Sequence, residues 1–335
     1  MDYQKQNSKT LNKPIGEYYN MGILRKDYIL DRWVYYATER KNRRREFKED
    51  KVKEISSSKT CFFCPGNEHL TPPEIGRVEH KNTWKIRWFP NKFPAVELKG
   101  NAKIKKNKFF SEGKTYGMHE VIAETSDHKK QLADLSVDNI KEIFEVYILR
   151  IKALSKLKGV KYATIFKNKG PQAGTSLIHS HTQIATLSVL PDYVMNEVKA
   201  AKKFRKCPYC DIIKLESKSR RKISENKSIV AFAPFASRFN FEAWLFPKRH
   251  VKSITSMYDH ELYDMASILK KMLLKLKKLN ASYNFSLHYA PAGHDLHFHI
   301  EITPRLSKWG GFELSTGAII NSVTPEDAAK FYRSR

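Results

Sequence analysis

The stretch His179-Ser180-His181-Thr182-Gln183 decides how this sequence is interpreted, and it directly follows a glycine-bearing loop. In an extended backbone alternate side chains share a face, so we expect His179, His181 and Gln183 to point into one site. Two imidazoles and one amide supply groups for metal binding, nucleophilic attack and stabilisation of oxygen. The alternative is a pair of ordinary histidines on a half-buried strand. Because the preceding loop is suited to holding phosphate, we favour the functional interpretation.

Length and composition indicate a globular protein of one large or two smaller domains. The chain has 335 residues, of which 41% are hydrophobic, enough to build a proper core. No apolar run approaches the roughly 20 residues needed to span a bilayer. Residues 1–20 are polar and lack an apolar segment of the signal-peptide type, so we expect a flexible tail there. These features predict a cytoplasmic protein that does not bind membranes.

The chain is strongly basic. It has 61 Lys and Arg against 35 Asp and Glu, which gives a formal net charge of +26. Such a charge attracts polyanions, and both nucleic acid and phosphorylated metabolites are candidates. Much of it is lysine on the faces of predicted helices, which favours solvated surfaces over a dedicated nucleic-acid site.

All four cysteines lie in two Cys-x-x-Cys pairs, Cys61 with Cys64 and Cys207 with Cys210. Without a secretory signal, structural disulfides are not expected. Metal binding or a redox pair therefore remain as explanations. Proline and glycine follow the first pair and Pro208 lies inside the second, which does not suit a thioredoxin-like strand-to-helix junction. The pairs therefore favour zinc.

The two halves of the chain repeat one order of features. Each half has a cysteine pair, strands, a lone histidine, an amphipathic helix, a strand and a His-x-His strand. Ser136 can cap the first helix, and both helices carry apolar residues at helical spacing. Antiparallel strands with helices packed on one face make an α+β fold. We therefore predict two histidine-triad-like repeats, an N-terminal catalytic domain at 21–195 and a C-terminal domain at 196–335.

The repeat also predicts two closed zinc sites, each with two thiolates and two imidazoles. Because the histidines are far from the cysteines in sequence, each metal ion would tie a whole domain together. Other histidines compete for these places, namely His69, His80, His119, His260 and His294. The ligands that we predict are Cys61, Cys64, His128 and His179 in the first half, and Cys207, Cys210, His250 and His297 in the second.

Several motifs between about residues 32 and 333 point together to one family. They are CFFCPGNE at 61–68, TPPE at 71–74, FPNKFPA at 89–95, NKG at 168–170, GTS at 174–176, HSHTQ at 179–183, WGGFELSTG at 309–317 and PEDAA at 325–329. This set resembles the galactose-1-phosphate uridylyltransferase family, in the histidine-triad superfamily. The resemblance covers nearly the whole chain.

The resemblance implies a covalent mechanism and a homodimer. His181 would attack the α-phosphorus to form a nucleotidyl-histidine, and Gln183 would hydrogen-bond a non-bridging phosphate oxygen. The implied partners are a nucleotide sugar and a hexose-1-phosphate, and the zinc ions would be structural. The implied contacts to nucleotide, phosphate and sugar are Arg40, Arg43, Asn91, Lys92, Asn168, Gly174, Thr175, Ser176, Phe312 and Glu313.

The implied reaction converts UDP-glucose and galactose-1-phosphate into UDP-galactose and glucose-1-phosphate. Ser180 stands where the family most often has proline, and this serine form also resembles relatives that act on ADP-glucose with phosphate as acceptor. A nucleotide-sugar phosphorylase is therefore the rival reaction. A basic zinc protein that binds nucleic acid is the rival of another class, but it gives no reason for the phosphate loop or for Gln183.

A second departure concerns the C-terminal half. Glu197, His288, His297 and His299 match a second metal site in family members that lack the second cysteine pair. His297 cannot complete two sites at once. Since soft thiolates select zinc, we assign His297 to the cysteine site and expect Glu197 to be an exposed helix residue.

Overall fold

The computed structural model describes residues 22–42, 58, 60–81, 83–175 and 177–334. The predicted tail at 1–20, Arg43 and Ser176 lie outside the described residues.

The described part alternates strands and helices in an order that follows the two predicted repeats. The helices are α1 (Val137–Leu154), α2 (Asp192–Ala201), α3 (Pro208–Glu216), α4 (Asp259–Lys278), α5 (Gly311–Thr316) and α6 (Pro325–Arg333). The strands are β1 (Ile23–Lys26), β2 (Trp33–Tyr36), β3 (Gly76–His80), β4 (Thr83–Pro90), β5 (Ile104–Lys106), β6 (Ser111–Gly113), β7 (His119–Ala123), β8 (Tyr162–Lys169), β9 (His181–Leu187), β10 (Lys222–Glu225), β11 (Ile229–Phe232), β12 (Ala243–Pro247), β13 (Tyr283–His288), β14 (His299–Pro304) and β15 (Ile319–Asn321).

One ten-stranded sheet runs through both halves in the order β10-β11-β12-β14-β13-β8-β9-β7-β4-β3. Every neighbouring pair in it is antiparallel. Each half contributes three strands, then a long helix, then two strands to this sheet. In each half the fifth strand in sequence, β9 or β14, lies in the sheet between the third and the fourth. The strands β8 and β13 join the halves at the centre. The predicted α+β class and the predicted repeat are therefore confirmed, while the domain boundary at 195/196 stays a prediction.

The long helices α1 and α4 pack against each other and against the sheet. The Ser136 side chain accepts a hydrogen bond from the backbone N–H of Asn139 and so caps α1, as predicted. The apolar stripes that the sequence predicts are buried in the core. These residues are Ile140, Ile143, Phe144, Tyr147, Ile151 and Leu154 on α1, and Leu262, Met265, Ala266, Leu269, Leu273 and Leu276 on α4.

A separate three-stranded sheet, β1-β2-β15, joins the two ends of the described chain. Val34 and Tyr36 on β2 face inward, and the Tyr36 hydroxyl donates to the carbonyl of Ser237 at 3.2 Å. Trp33 and Tyr35 alternate with them and face outward, where they are 43% and 42% exposed. Among the described residues, nothing therefore fully covers these aromatic side chains on the outer face of the sheet. Among the described helices, none combines the length and the apolar character that crossing a bilayer requires.

Candidate active site and metal centres

His181 is the first residue of β9 and lies opposite Ala123 of β7. Its Nδ1 is 2.8 Å from the carbonyl oxygen of His179. Because a carbonyl can only accept, Nδ1 carries the proton and Nε2 keeps a free lone pair. Burial, with the nearby charge of Lys167, lowers the pKa of His181 to about 4. The ring is therefore neutral and has the nucleophilic atom that a covalent mechanism needs.

Gln183 lies on the same face of β9 as His181, and His119 fixes the orientation of its amide. The backbone N–H of Ala95 donates to His119 Nδ1 at 3.1 Å, so His119 carries its proton on Nε2. That Nε2 is 2.9 Å from Gln183 Oε1, and Asn91 Nδ2 is 3.4 Å from the same oxygen. The amide oxygen is thereby engaged, and the amide NH₂ of Gln183 can donate to a ligand. His119, considered only as a competing metal ligand from the sequence, instead orients Gln183.

A cavity of about 320 Å³ opens beside His181. Half of its fourteen lining residues are apolar, four of them phenylalanines, and its polar groups include the amides of Asn91 and Gln183. Such a site, mostly apolar with a few convergent polar groups, suits a nucleotide whose base packs on rings while its phosphate meets the amides. The cavity is lined by Phe62, Phe63, Leu70, Thr71, Phe89, Asn91, Lys92, Phe93, Val121, Gly174, Thr175, Leu177, His181 and Gln183.

A second cavity, of about 250 Å³, shares His181, Thr175 and Leu177 with the first. Asn168 lines this second cavity, and its side-chain oxygen accepts a hydrogen bond from Asn284 at 2.8 Å. The lining is basic, which suits an anion next to the nucleophile. Its lysines are Lys129, Lys167, Lys169 and Lys277.

The loop between β8 and β9 turns over these cavities with the help of glycine. Gly174 has φ of +83°, a left-handed backbone conformation that residues with a side chain rarely adopt. Gly170 has the same φ, and a Cβ there would overlap the side chain of Ser282. The loop therefore depends on glycine at both positions to bring Thr175 beside His181.

Three residues implied to contact substrate do not line either cavity: Arg40, Phe312 and Glu313. Arg40 is exposed in the short helix Thr38–Asn42. Phe312 packs edge-on against Tyr35, with ring centres 5.6 Å apart, and Glu313 accepts from the backbone N–H of Gly310 at 2.8 Å. Within one chain these residues belong to the three-stranded sheet and its flanking segments, not to the His181 pocket.

The structure brings the four predicted ligands of the N-terminal half together, with their donor atoms within 4.8 Å of one another. His179 Nε2 donates to the carbonyl of Thr125 at 2.7 Å, so the unprotonated Nδ1 faces Cys61 Sγ and Cys64 Sγ, each at 3.5 Å. His128 Nδ1 lies 3.2 Å from Cys64 Sγ. Burial and the neighbouring Cys61 raise the pKa of Cys64 to about 12, so two adjacent thiolates here require a cation. This donor set fits zinc.

The C-terminal half has a matching group, Cys207, Cys210, His250 and His297. His297 Nε2 donates to the carbonyl of Pro247 at 2.9 Å, which leaves Nδ1 at 3.6 Å from Cys210 Sγ. His250 Nδ1 is 3.5 Å from the same sulfur. In both groups the Nε2 of the buried histidine thus donates to a backbone carbonyl, which orients Nδ1 towards the cysteines, as is common in zinc sites.

A third buried group contains Glu197, His288, His299 and Glu301. The expectation that Glu197 is an exposed helix residue is wrong: it is 1% exposed, because α2 turns it inward, and its carboxylate lies 3.0 Å from His288 Nδ1. Glu301, and not His297, is the fourth member, so the two C-terminal groups do not compete for one histidine. His299 Nε2 and Glu301 Oε1 have no hydrogen-bond partner among the described residues, and this donor set also fits a divalent metal ion.

Comparison with known proteins agrees with this geometry. Residues 19–191 match the family described as "Galactose-1-phosphate uridyl transferase, N-terminal domain". The chain is 34% identical to the ADP-glucose phosphorylase of Arabidopsis thaliana over 92% of both chains. It is 30% identical to the galactose-1-phosphate uridylyltransferase of Thermotoga maritima over 92% of this chain and 97% of the other. The chain therefore belongs to the galactose-1-phosphate uridylyltransferase family and is an enzyme of the nucleotidyltransferase type.

Solved structures show the same relationship. The crystal structure of an ADP-glucose phosphorylase from Arabidopsis thaliana with bound ADP-glucose has a TM-score of 0.81 and 32% identity, covering 94% of this chain and 99% of that one. A structure of uridylyltransferase has a TM-score of 0.71 and 27% identity, covering 93% and 97%. The resemblance to the family that the sequence motifs indicate is thus confirmed.

Proposed function

We propose that the protein moves the nucleoside monophosphate unit of a nucleotide sugar through a covalent bond to His181. The Nε2 lone pair attacks the α-phosphorus, the bond from that phosphorus to the bridging oxygen breaks, and hexose-1-phosphate leaves. An oxygen of the acceptor phosphate then attacks the same phosphorus and returns the electron pair to Nε2. The observation that carries this proposal is the unprotonated Nε2 of His181 on the same strand face as the oriented amide of Gln183.

The remaining polar groups would support the phosphate in both steps. Amide N–H groups that meet the developing charge on phosphate oxygens stabilise the transition state, and Gln183 and Asn91 are suitably placed. Thr175 joins them from the loop. The two attacks at one phosphorus give ping-pong kinetics.

ADP-glucose with inorganic phosphate as acceptor is the substrate pair that we favour. The 34% identity and the TM-score of 0.81 to ADP-glucose phosphorylase support it, as does Ser180 in the His-x-His motif. The basic cavity beside His181 suits a free phosphate. The sequence alone placed uridylyl transfer between hexose-1-phosphates first. That exchange is now the second candidate, supported by the match to the Thermotoga maritima enzyme.

Zinc is the metal that we propose for the two Cys-x-x-Cys groups. Bound there, it would supply a structural cross-link and no step of the transfer. The carbonyl of His179 orients the His181 ring, so fixing His179 also fixes the nucleophile.

A homodimer is part of the proposal, because the part of the chain that the structure describes leaves one face of the sheet β1-β2-β15 open. Trp33, Tyr35 and Phe312 are exposed together on that face. Arg40 and Glu313 lie in the flanking segments and away from the His181 pocket of their own chain. Pairing with a second copy would cover the apolar face and could bring these side chains to the pocket of that copy.

The proposal is tested by incubating the protein with ADP-glucose or UDP-glucose and measuring its intact mass. An acid-labile gain of one nucleoside monophosphate is expected, and the added mass identifies the base. Release of ADP or of a new nucleotide sugar when phosphate or galactose-1-phosphate is added then identifies the acceptor. Absence of an adduct with either donor would count against covalent transfer.

A further inference from the structure

A buried ion pair lies directly beneath the start of β9, on the sheet face opposite to the side chains of His181 and Gln183. Lys167 of β8 and Glu124, the residue after β7, are both fully buried, and Lys167 Nζ is 2.6 Å from Glu124 Oε2. The same ammonium donates to Ser180 Oγ at 3.1 Å and to the carbonyl oxygen of His181 at 2.9 Å. All three ammonium hydrogens of Lys167 therefore have acceptors, two of them in the His-Ser-His segment.

Glu124 holds the same segment through hydroxyl groups. The Ser180 hydroxyl donates to Glu124 Oε2 at 2.5 Å, and the Thr182 hydroxyl donates to Glu124 Oε1. Tyr147 of α1 donates to Thr182 Oγ1 at 2.7 Å and completes the network. Although burial opposes ionisation, the charge of Lys167 and these hydroxyls hold the pKa of Glu124 below its ordinary value. Ser180 and Thr182, the two neighbours of His181, are thus both bound to one carboxylate.

The hydrogen bonds of Glu124 and Lys167 lie just beyond the point where backbone pairing between β8 and β9 ends. Pairing between β8 and β9 ends at Phe166 opposite Gln183, two residues short of His181. On the other side, the N–H of Glu124 still donates to the carbonyl of Ser180. The carbonyl of His181 therefore points towards β8, beyond the last paired residues of β8 and β9. There the ammonium group of Lys167 donates the hydrogen bond that a backbone N–H of β8 would otherwise donate.

The second repeat shows that the fold itself does not require charges at this place. The residues that flank its central histidine, His299, are Phe298 and Ile300, and both are fully buried and apolar. Lys167 itself lies opposite Phe285 of β13, which is also buried. Buried ion pairs are weak sources of stability, since desolvation offsets their attraction, and well-packed apolar residues often serve as well. The N-terminal repeat therefore carries a polar network for a reason other than packing.

We propose that Glu124 and Lys167 are positioning residues, which hold Ser180, His181 and Thr182 so that Nε2 of His181 meets the α-phosphorus in line. This inference rests on the proposed covalent transfer. It also gives Ser180 a role, because a proline at that position would have no hydroxyl to join the two charged groups. Glu124 lines neither cavity. Lys167 lines the second cavity, but its ammonium group is directed at Glu124, Ser180 and the His181 carbonyl, so we assign its effect to the position of the imidazole.

The test is a pair of variants measured in a single turnover with ADP-glucose or UDP-glucose, whichever labels the parent protein. Glu124→Gln combined with Lys167→Met removes both charges with little change in volume, and Ser180→Ala removes only the linking hydroxyl. The rate constant of adduct formation at saturating donor is expected to fall about 10- to 100-fold in the double variant, since a small misplacement of a reacting group has effects of that size. The dissociation constant for ADP or UDP, measured by calorimetry, is expected to change less than about threefold.

The matched control is a second ion pair, whose carboxylate is buried and lies four residues before Glu124. Glu120 of β7 and Arg150 of α1 are joined by two hydrogen bonds of 2.8 Å, away from the His-Ser-His segment. Glu120→Gln combined with Arg150→Met should lower the melting temperature about as much as the Glu124/Lys167 variant does. The single-turnover rate should stay within about twofold of the parent, because the hydrogen bonds around His181 are unchanged.

Three outcomes separate the possibilities. A slow Glu124/Lys167 variant with intact nucleotide affinity, beside a normal control, supports positioning. Positioning is overturned if the Glu124/Lys167 variant and Ser180→Ala form the adduct as fast as the parent. It is also overturned if the Glu120/Arg150 control loses as much rate as the Glu124/Lys167 variant. In both cases the covalent mechanism stands. If the parent itself binds nucleotide but forms no adduct, the proposed function fails first, and positioning of a nucleophile fails with it. Should the double variant not fold, Ser180→Ala decides between these outcomes.

Discussion

His181 and His299 hold the same place in the two repeats. The Nδ1 atom of each ring lies against the carbonyl oxygen two residues earlier in the chain, at 2.8 Å for His181 and 2.9 Å for His299. The residues that supply these carbonyls, His179 and His297, in turn donate from Nε2 to a backbone carbonyl and present Nδ1 to a cysteine sulfur. The repeat therefore extends to which ring nitrogen of each histidine faces a backbone carbonyl.

What differs is the surroundings of the central ring. His181 lines two cavities. His299 is fully buried, with the ring of Phe246 stacked on it at 4.5 Å and the tilted ring of Tyr209 at 5.4 Å. A substrate can therefore reach the first ring and not the second. The N-terminal repeat is accordingly suited to catalysis and the C-terminal repeat to holding the sheet and its metal groups.

This asymmetry predicts a single labelled residue. After incubation with the accepted nucleotide sugar and digestion without acid, the added nucleotide is expected on the peptide that contains His181, and the peptide that contains His299 should have its unmodified mass. His181→Asn should abolish the adduct and keep nucleotide affinity within about threefold, because binding rests on other residues of the pocket. Labelling of any other histidine in this variant would contradict the assignment of the nucleophile.

The interaction of His119 with Gln183 predicts graded losses. Gln183→Ala removes an N–H donor to the phosphate and should lower kcat about 10²- to 10³-fold. His119→Phe keeps a ring and leaves the amide of Gln183 free to rotate, so we expect a smaller loss, of about tenfold, in kcat with little change in KM. Steady-state kinetics of both variants measure this order. A loss in His119→Phe that equals or exceeds that in Gln183→Ala would mean that His119 has a role of its own.

Much of the site could be predicted because its residues are adjacent in sequence or repeated. The alternation of the His-Ser-His-Thr-Gln stretch places His181 and Gln183 on one face, as the register with β7 shows. The repeat of cysteine pairs and lone histidines predicted two Cys/His groups, and the structure brings the members of each group together. Periodicity was enough for the two long helices, because their buried residues recur at helical spacing.

Residues whose role depends on three-dimensional neighbours were harder to predict. His119 is 64 residues from Gln183, and only the pairing of β7 with β9 brings them together. The burial of Glu197 depends on which face of α2 meets β13, which its own sequence does not define. Lys167 of β8 and Glu124, directly after β7, are charged residues, a type that is usually exposed. Their burial is possible because each neutralises the other.

Removing one cysteine from each metal group should separate structure from catalysis. Cys61→Ser and Cys207→Ser are each expected to lower the zinc content by one ion per chain and to lower the melting temperature, because metal binding and folding are coupled. Only Cys61→Ser should also slow adduct formation, about 10- to 100-fold, since its metal holds His179 and thereby His181. Atomic emission analysis and single-turnover rates test this. Equal loss of rate in both folded variants would argue that the first metal does not orient the nucleophile.

The buried carboxylate of Glu197 predicts a large stability effect. Glu197→Gln keeps the volume but removes the charge that faces His288 at 3.0 Å, and breaking a buried pair in this way costs about 3–5 kcal/mol. Glu145→Gln is the matched control, because Glu145 forms a half-exposed pair with Lys141 and should change stability by less than about 1 kcal/mol. Urea unfolding of both variants measures the difference. Equal stability of the two would mean that the charge of Glu197 is not used in the fold.

The uncovered sheet face predicts that the protein associates through β2. Trp33→Glu places a charge on the exposed face of β2 that also carries Tyr35, so desolvation of that charge would oppose pairing and convert dimer to monomer. Leu149→Glu is the control, since Leu149 is 50% exposed on α1, away from this sheet. Sedimentation equilibrium of the parent and both variants gives their masses. A parent that is monomeric at micromolar concentration, or a Trp33→Glu variant that stays dimeric, would contradict this interface.

If the monomeric variant also loses turnover with phosphate or galactose-1-phosphate while it keeps nucleotide affinity, the partner's copy of this sheet contributes to the acceptor site.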